Sequence, residues 1–187
     1  MSTTEDRKKL LLSFVQVVLF LFLAFGGFLK KIAPPDETGT GFHVGIVSFF
    51  VLITLLAVSA IARRAPGPKY RKPWMIAGIA FFAVAIPSAL IYPRMLHEYA
   101  YFSPQHPDQL RVKGSDSDLT KEAREWVQTH YKPEASELVR KFPPGRVWTE
   151  ESIERAKSIL LLSYGSLVLS LAAAVFCLIE ANVRAKT

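Results

Sequence analysis

The chain has 187 residues, half of them hydrophobic, a formal net charge of +7 and a single cysteine. The lone Cys177 excludes an intramolecular disulfide, and with it a disulfide-exchange enzyme, which needs cysteine pairs. The basic excess is not a nucleic-acid footprint, because no basic, aromatic-interleaved surface exists away from the flanks of apolar segments.

The apolar residues are gathered into four blocks, Leu10–Leu29, Phe42–Ala62, Trp74–Tyr92 and Ile159–Ile179, none of which contains Asp, Glu, Lys or Arg. A helix rises about 1.5 Å per residue, so a run of about 20 apolar residues spans a hydrocarbon core of about 30 Å. The expected fold is therefore an all-α integral membrane protein, a four-helix bundle of transmembrane segments. A helical extramembrane insert separates the third span from the fourth. Three parts are predicted: residues 1–93 with the first three spans and short loops, residues 94–149 as the insert, and residues 150–187 as a long helix carrying the fourth span.

The first block follows Arg7, Lys8 and Lys9 and is closed by Lys30 and Lys31. It exceeds the length of a signal-peptide core, about 7–15 residues, so it is expected to remain as an anchor. Gln16 is the most polar residue within it, a candidate for an interhelix hydrogen bond or, in an oligomer, for a pore lining. The loop that follows holds Pro34, Pro35, Gly39 and Gly41, which break the helix and permit a return. Gly41 and Gly45 form a small-xxx-small step that favours close approach of another helix. They lack the Lys-Ser/Thr ending of a phosphate-binding loop.

The second and third blocks are joined by residues 63–73, which carry five basic residues and no acid. Such a short basic loop belongs on the cytoplasmic side, and four spans put both termini there too. The expected location is the inner (plasma) membrane, with the segment 94–157 on the outer side. That segment has 11 Lys/Arg and 11 Asp/Glu and is neutral as a whole. Pro87 lies within the third block, where it removes a backbone donor and is predicted to kink the helix; Ser88 can help satisfy the freed carbonyl.

In the insert, residues 103–118 contain Pro104, Pro107 and Gly114 and read as mostly loop. Asp118 is then a candidate cap for a helix reaching about His130, with Leu119, Ala123, Trp126 and Val127 on one apolar face. Pro133 can open a second short helix with Leu138, Val139 and Phe142 as its buried edge, ended by Pro143, Pro144 and Gly145. Leu119, Trp126, Val127, Leu138 and Phe142 are the predicted insert core. Thr149 is a candidate N-cap, followed by Glu150 and Glu151 where carboxylates suit the helix dipole. No breaker follows, so one helix is expected from Glu150 through Ile179. Ser163, Ser166, Ser170 and Ala174 recur in steps of three and four and mark a packing face.

The residues offer little catalytic chemistry. The spans hold no internal ionisable group, which argues against proton-coupled transport. The histidines His43, His97, His106 and His130 are weak metal candidates, since none shows an HxxxH, HExxH or CxxC spacing. Neither a cofactor nor a catalytic residue is expected, and an enzyme is the less favoured reading. The leading expectation is a non-enzymatic accessory, scaffold or sensor subunit of a larger membrane assembly. Its partners would be membrane lipids and other membrane-protein subunits or copies of itself. The alternatives are a homo-oligomeric pore or membrane-disrupting effector of the defence-system kind, and an outer-face metal or haem redox protein.

Overall fold

The structure is a computed structural model that describes residues 33–35, 42–64, 67–106, 109–130 and 134–184. All the described helices belong to one compact unit, Pro34–Thr187. The predicted first span with Gln16, and Gly41 in the loop after it, lie outside the described residues.

The chain order is α1 (Phe42–Arg64), a 3-10 turn (Pro68–Tyr70), α2 (Arg71–Tyr99), β1 (Ala100–Phe102), β2 (Leu110–Val112), α3 (Lys121–Thr129), α4 (Ala135–Lys141), α5 (Pro144–Val147) and α6 (Glu150–Val183). Three helical stretches, His43–Arg64, Pro68–Tyr99 and Glu150–Val183, are long and apolar enough to cross a membrane. The α1–α2 connection turns at Gly67, whose φ of 105° lies in the left-handed region that glycine tolerates at no steric cost. Pro68 then opens the 3-10 turn, where its missing N–H is no loss.

α2 and α6 form the main helix pair, in antiparallel register. Tyr92 meets Tyr164 with ring centroids 5.7 Å apart, Ser88 meets Ser166, Gly78 meets Leu178, and Trp74 meets Arg184. The contact is closest at Gly78, where an added Cβ would lie 2.9 Å from the Leu178 side chain. Helix backbones approach closely where one side presents no side chain, and dispersion then operates along the whole seam. α2 remains one helix across Pro87 and Pro93. Ser88 Oγ donates to the Val84 carbonyl at 2.9 Å. The carbonyl that Pro87 leaves without a partner in the i, i−4 ladder is that of Ala83, so Ser88 serves the next residue instead.

α6 spans 34 residues, about 51 Å at the helical rise. Thr149 caps it, its side chain accepting from Ser152 N, with Glu150 and Glu151 in the first turn. Its buried residues Ser152, Ala156, Leu160, Tyr164 and Val168 follow an i+4 ridge, and Ser170, Ala173, Ala174, Cys177 and Ala181 continue the buried surface toward the other end.

Residues 100–149 build a small unit around Trp148. β1 and β2 pair antiparallel, with Tyr101 opposite Arg111. Of this ladder only β2 falls within 103–118, a stretch expected to be mostly loop; strands of three residues carry too little alternation to be read as strands. Leu119 bridges Trp148, and Thr120 N donates to the Val147 carbonyl at 2.9 Å. That pairing keeps the chain extended through Thr120. Thr120 therefore caps α3 in place of the predicted Asp118, accepting from Ala123 N while its hydroxyl donates to the Arg146 carbonyl. Asp118 instead offers its carbonyl to Thr149 N. Pro144 does more than end α4: it begins the one-turn helix α5. Tyr101, Ala123, Leu138, Val147 and Trp148 are buried together, and Leu119, Trp126, Val127, Val139, Phe142 and Ile153 pack against them.

Candidate functional site

Polar chemistry is concentrated at the two ends of the α2–α6 pair. At the α1–α2 loop end, Arg184 is buried, and its Nη2 donates to the Ala62 carbonyl at 2.8 Å and lies 3.3 Å from Glu180 Oε2. Its guanidinium sits 5.6 Å from the Trp74 ring centroid. Ala62 is in the last turn of α1, where carbonyls lack intrahelical donors and a cation is favoured. One side chain thus joins the ends of three helices. Beneath it Ala62, Trp74, Cys177 and Ala181 form an apolar cluster, in which the Cys177 thiol packs as a small buried residue.

At the opposite end, the loop after β2 is pressed against the start of α6. A Cβ on Gly114 would lie 2.7 Å from both Trp148 Cβ and Ser152 Oγ, so the backbone passes where no side chain fits. Ser115 N donates to Ser152 Oγ at 2.9 Å, and Lys113 N donates to the Tyr99 carbonyl at 2.8 Å. Val112, Ala156 and Leu160 close the same junction, with Met95, Leu96 and Tyr99 against them. The small unit is therefore bonded both to the end of α2 and to the first turns of α6.

Beside this junction is an open cleft of about 580 Å³, lined by Arg94, His97, Glu98, Lys113 and Asp116. Arg94, His97 and Glu98 share one face of α2 at steps of three and four. Lys113 Nζ is 3.2 Å from Asp116 Oδ1, and the Lys113 side chain is only 13% exposed.

The predicted packing residues are distributed unevenly. Ser170 and Ala174 are buried, Ser163 is half-buried and Ser166 is exposed. Ser170 Oγ donates to the Ser166 carbonyl at 2.7 Å and Ser163 Oγ to the Leu160 carbonyl at 3.1 Å, so these hydroxyls are satisfied within their own helix. Ser166 reaches across, 3.3 Å from Ser88 Oγ. Gly45 is exposed, and a Cβ there would meet nothing within 4 Å. Among the described glycines the one that another helix approaches most tightly within the bundle is Gly78, which the spacing did not single out because it has no small partner four residues away.

The histidines are dispersed. His43 is half-buried at the start of α1, His97 lies in the cleft, and His106 is exposed in the turn between β1 and β2. His130 stacks on Trp126 at 4.0 Å between centroids, with Nδ1 3.0 Å from the Trp126 carbonyl, a helix-end role for its ring. Among the described residues no three His, Cys, Asp or Glu are gathered as a metal site. Leu119, Trp126, Val127, Leu138 and Phe142 lie in or against the apolar cluster around Trp148.

Outside these contacts the long helices present large apolar side chains outward: Phe49, Phe50 and Ile53 on α1, Ile76, Ile79 and Leu90 on α2, and Leu162 on α6. Such a perimeter is far beyond what a soluble monomer exposes. No family model, no curated protein and no solved structure matches this chain.

Proposed function

We propose that the chain is a four-span protein of the inner (plasma) membrane, with cytoplasmic termini and residues 94–157 on the outer side. In this reading it is a non-enzymatic sensor or scaffold subunit of a larger membrane assembly. The observation that carries the reading is α6. One unbroken helix is bonded at its start to a small folded unit through Ser152, and at its end to α1 and α2 through Arg184. A load placed on the small unit is transmitted along a rigid rod to the far end of the bundle. The apolar perimeter supports placement in lipid, and the basic loop 63–73 supports the orientation.

Purification of the tagged full chain in mild detergent tests the role. Distinct membrane proteins recovered at fixed stoichiometry are expected; a closed ring of this chain alone would favour the pore reading instead. The orientation is checked with single cysteines in a Cys177→Ala background. Those at 67–72 should react with impermeant maleimide only after lysis, and those at 109–115 in cells whose outer layer alone is permeabilised. The reverse pattern would invert the topology.

A further inference from the structure

We propose that the cleft at the end of α2 binds a phosphoethanolamine zwitterion, held as the headgroup of a bilayer phospholipid. The lining carries Arg94 and Lys113 as permanent cations, Glu98 and Asp116 as carboxylates, and His97. A simple anion would meet the two carboxylates, and a simple cation the guanidinium and the ammonium. A zwitterion satisfies both signs, its phosphate on Arg94 and Lys113 and its ammonium on Glu98 and Asp116. The volume, about 580 Å³, lies within the ordinary range for small-molecule sites.

The site is built before any ligand arrives. Lys113 is largely buried, held by Asp116 at 3.2 Å and by its backbone bond to Tyr99. Gly114, against Trp148 and Ser152, pins the loop. Among the described residues Arg94 and His97 have no ion-pair partner, which leaves Arg94 available to a phosphate.

Position selects the lipid as the source. Arg94 follows the last residue of the apolar block, Tyr92, by two positions, about 3 Å of helix rise, which is headgroup depth for a block that fills the hydrocarbon core. Leu90 and Ile91, one turn earlier on the same face of α2, are 66% and 47% exposed and offer a track for an acyl chain. The inference rests on the membrane placement of α2 and not on the subunit role.

The test uses the full chain in nanodiscs of phosphatidylethanolamine, phosphatidylcholine and phosphatidylglycerol in equal amounts, with lipids retained after detergent exchange measured by mass spectrometry. Retention of phosphatidylethanolamine over the other two by about tenfold is expected, the lower end of the scale of one charge-assisted hydrogen bond. Arg94→Gln should abolish that preference, and Glu98→Gln should shift it toward phosphatidylglycerol. Arg71→Gln, at the other end of α2, should leave it intact. Equal retention of all three lipids by the unsubstituted chain, or the same result for Arg94→Gln and Arg71→Gln, overturns the site. Competition by glycerophosphoethanolamine separates the sources: displacement at the lipid's own affinity would overturn the bilayer source and assign the cleft to a soluble ester. Carbonate extraction isolates the premise. A chain washed off the membrane fails the placement, whereas one that stays without the preference fails the site alone.

Discussion

Residues 100–149 and the three long helices hold themselves together by different means. In the small unit the background is polar, so most large apolar side chains are drawn inward, Phe102 excepted, and Trp148, Val147 and Ala123 are fully enclosed. In the long helices nearly every residue is apolar, and hydrophobicity does not distinguish a face that meets protein from one that meets lipid. There the contact is set by shape and by isolated polar bonds: Gly78 under Leu178, Tyr92 beside Tyr164, Arg184 on the Ala62 carbonyl. Apolar burial organises the first region, whereas absence of bulk organises the second.

The largest expected effect that would break this contrast is in the small unit. Trp148→Ala removes a side chain with no exposed surface, at a cost of about 3–5 kcal/mol. Proteolysis within 100–149 of the detergent-solubilised chain should accelerate while the α1–α2 hairpin stays protected. Equal loss of protection in both regions would mean that the long helices depend on the small unit.

The helix seam should respond to added volume. Gly78→Val forces a Cβ to within 2.9 Å of Leu178, and Ser170→Leu adds bulk at a buried position; each should cost about 1–3 kcal/mol of thermal stability in detergent. Gly45→Val should be close to neutral, since nothing lies within 4 Å of that site. A destabilising Gly45→Val with a silent Gly78→Val would exchange the roles of α1 and α2 in the bundle.

Arg184→Gln sharpens the contrast from the polar side. Loss of the charge-assisted bond to Ala62 O should cost about 1–2 kcal/mol, and Arg184→Lys should recover only part, because a lysine lacks the planar group facing Trp74. Thermal unfolding in detergent at low and high salt measures it. The difference between the two variants should persist in salt, because the Arg184 side chain is 8% exposed and buried pairs are weakly screened.

What could be read from the sequence follows the same division. Thr149, two carboxylates and the lack of breakers predict a helix from Glu150, and α6 begins there and runs to Val183. The spacing of Leu119, Ala123, Trp126 and Val127 is visible against polar neighbours, and these residues share a cluster. Gly78 was not visible, because small residues are common in apolar helices and only a partner in space distinguishes one from another. Gly114 and its partners Trp148 and Ser152 are distant in sequence, so no local pattern joins them. In the sequence nothing local distinguishes Arg184 from other basic residues beside the apolar blocks, so its bond to another helix is concealed. Of the cleft, the sequence marks only His97, as a weak metal candidate, and Lys113 and Asp116 lie in a stretch whose folding no periodicity announces.

The smallest effect concerns Ser88 and Ser166, whose hydroxyl oxygens are 3.3 Å apart across the seam. Serine hydroxyls in apolar helices can bond to their own backbone, as Ser163 and Ser170 do and as Ser88 does to Val84 O. Removing the cross-helix partner therefore leaves Ser88 satisfied, and the net loss is small. Ser88→Ala, Ser166→Ala and the double variant form a cycle whose coupling should be about 0.6 kcal/mol, the average for polar pairs between membrane helices. Ser163→Ala should show no coupling with Ser88→Ala, because its hydroxyl stays on Leu160 O. Zero coupling for Ser166 as well would leave every hydroxyl of the stripe bonded locally. The seam would then be held by shape, by the Tyr92–Tyr164 contact and by Arg184, and the contrast between the two regions would be sharper than the geometry of Ser88 and Ser166 implies.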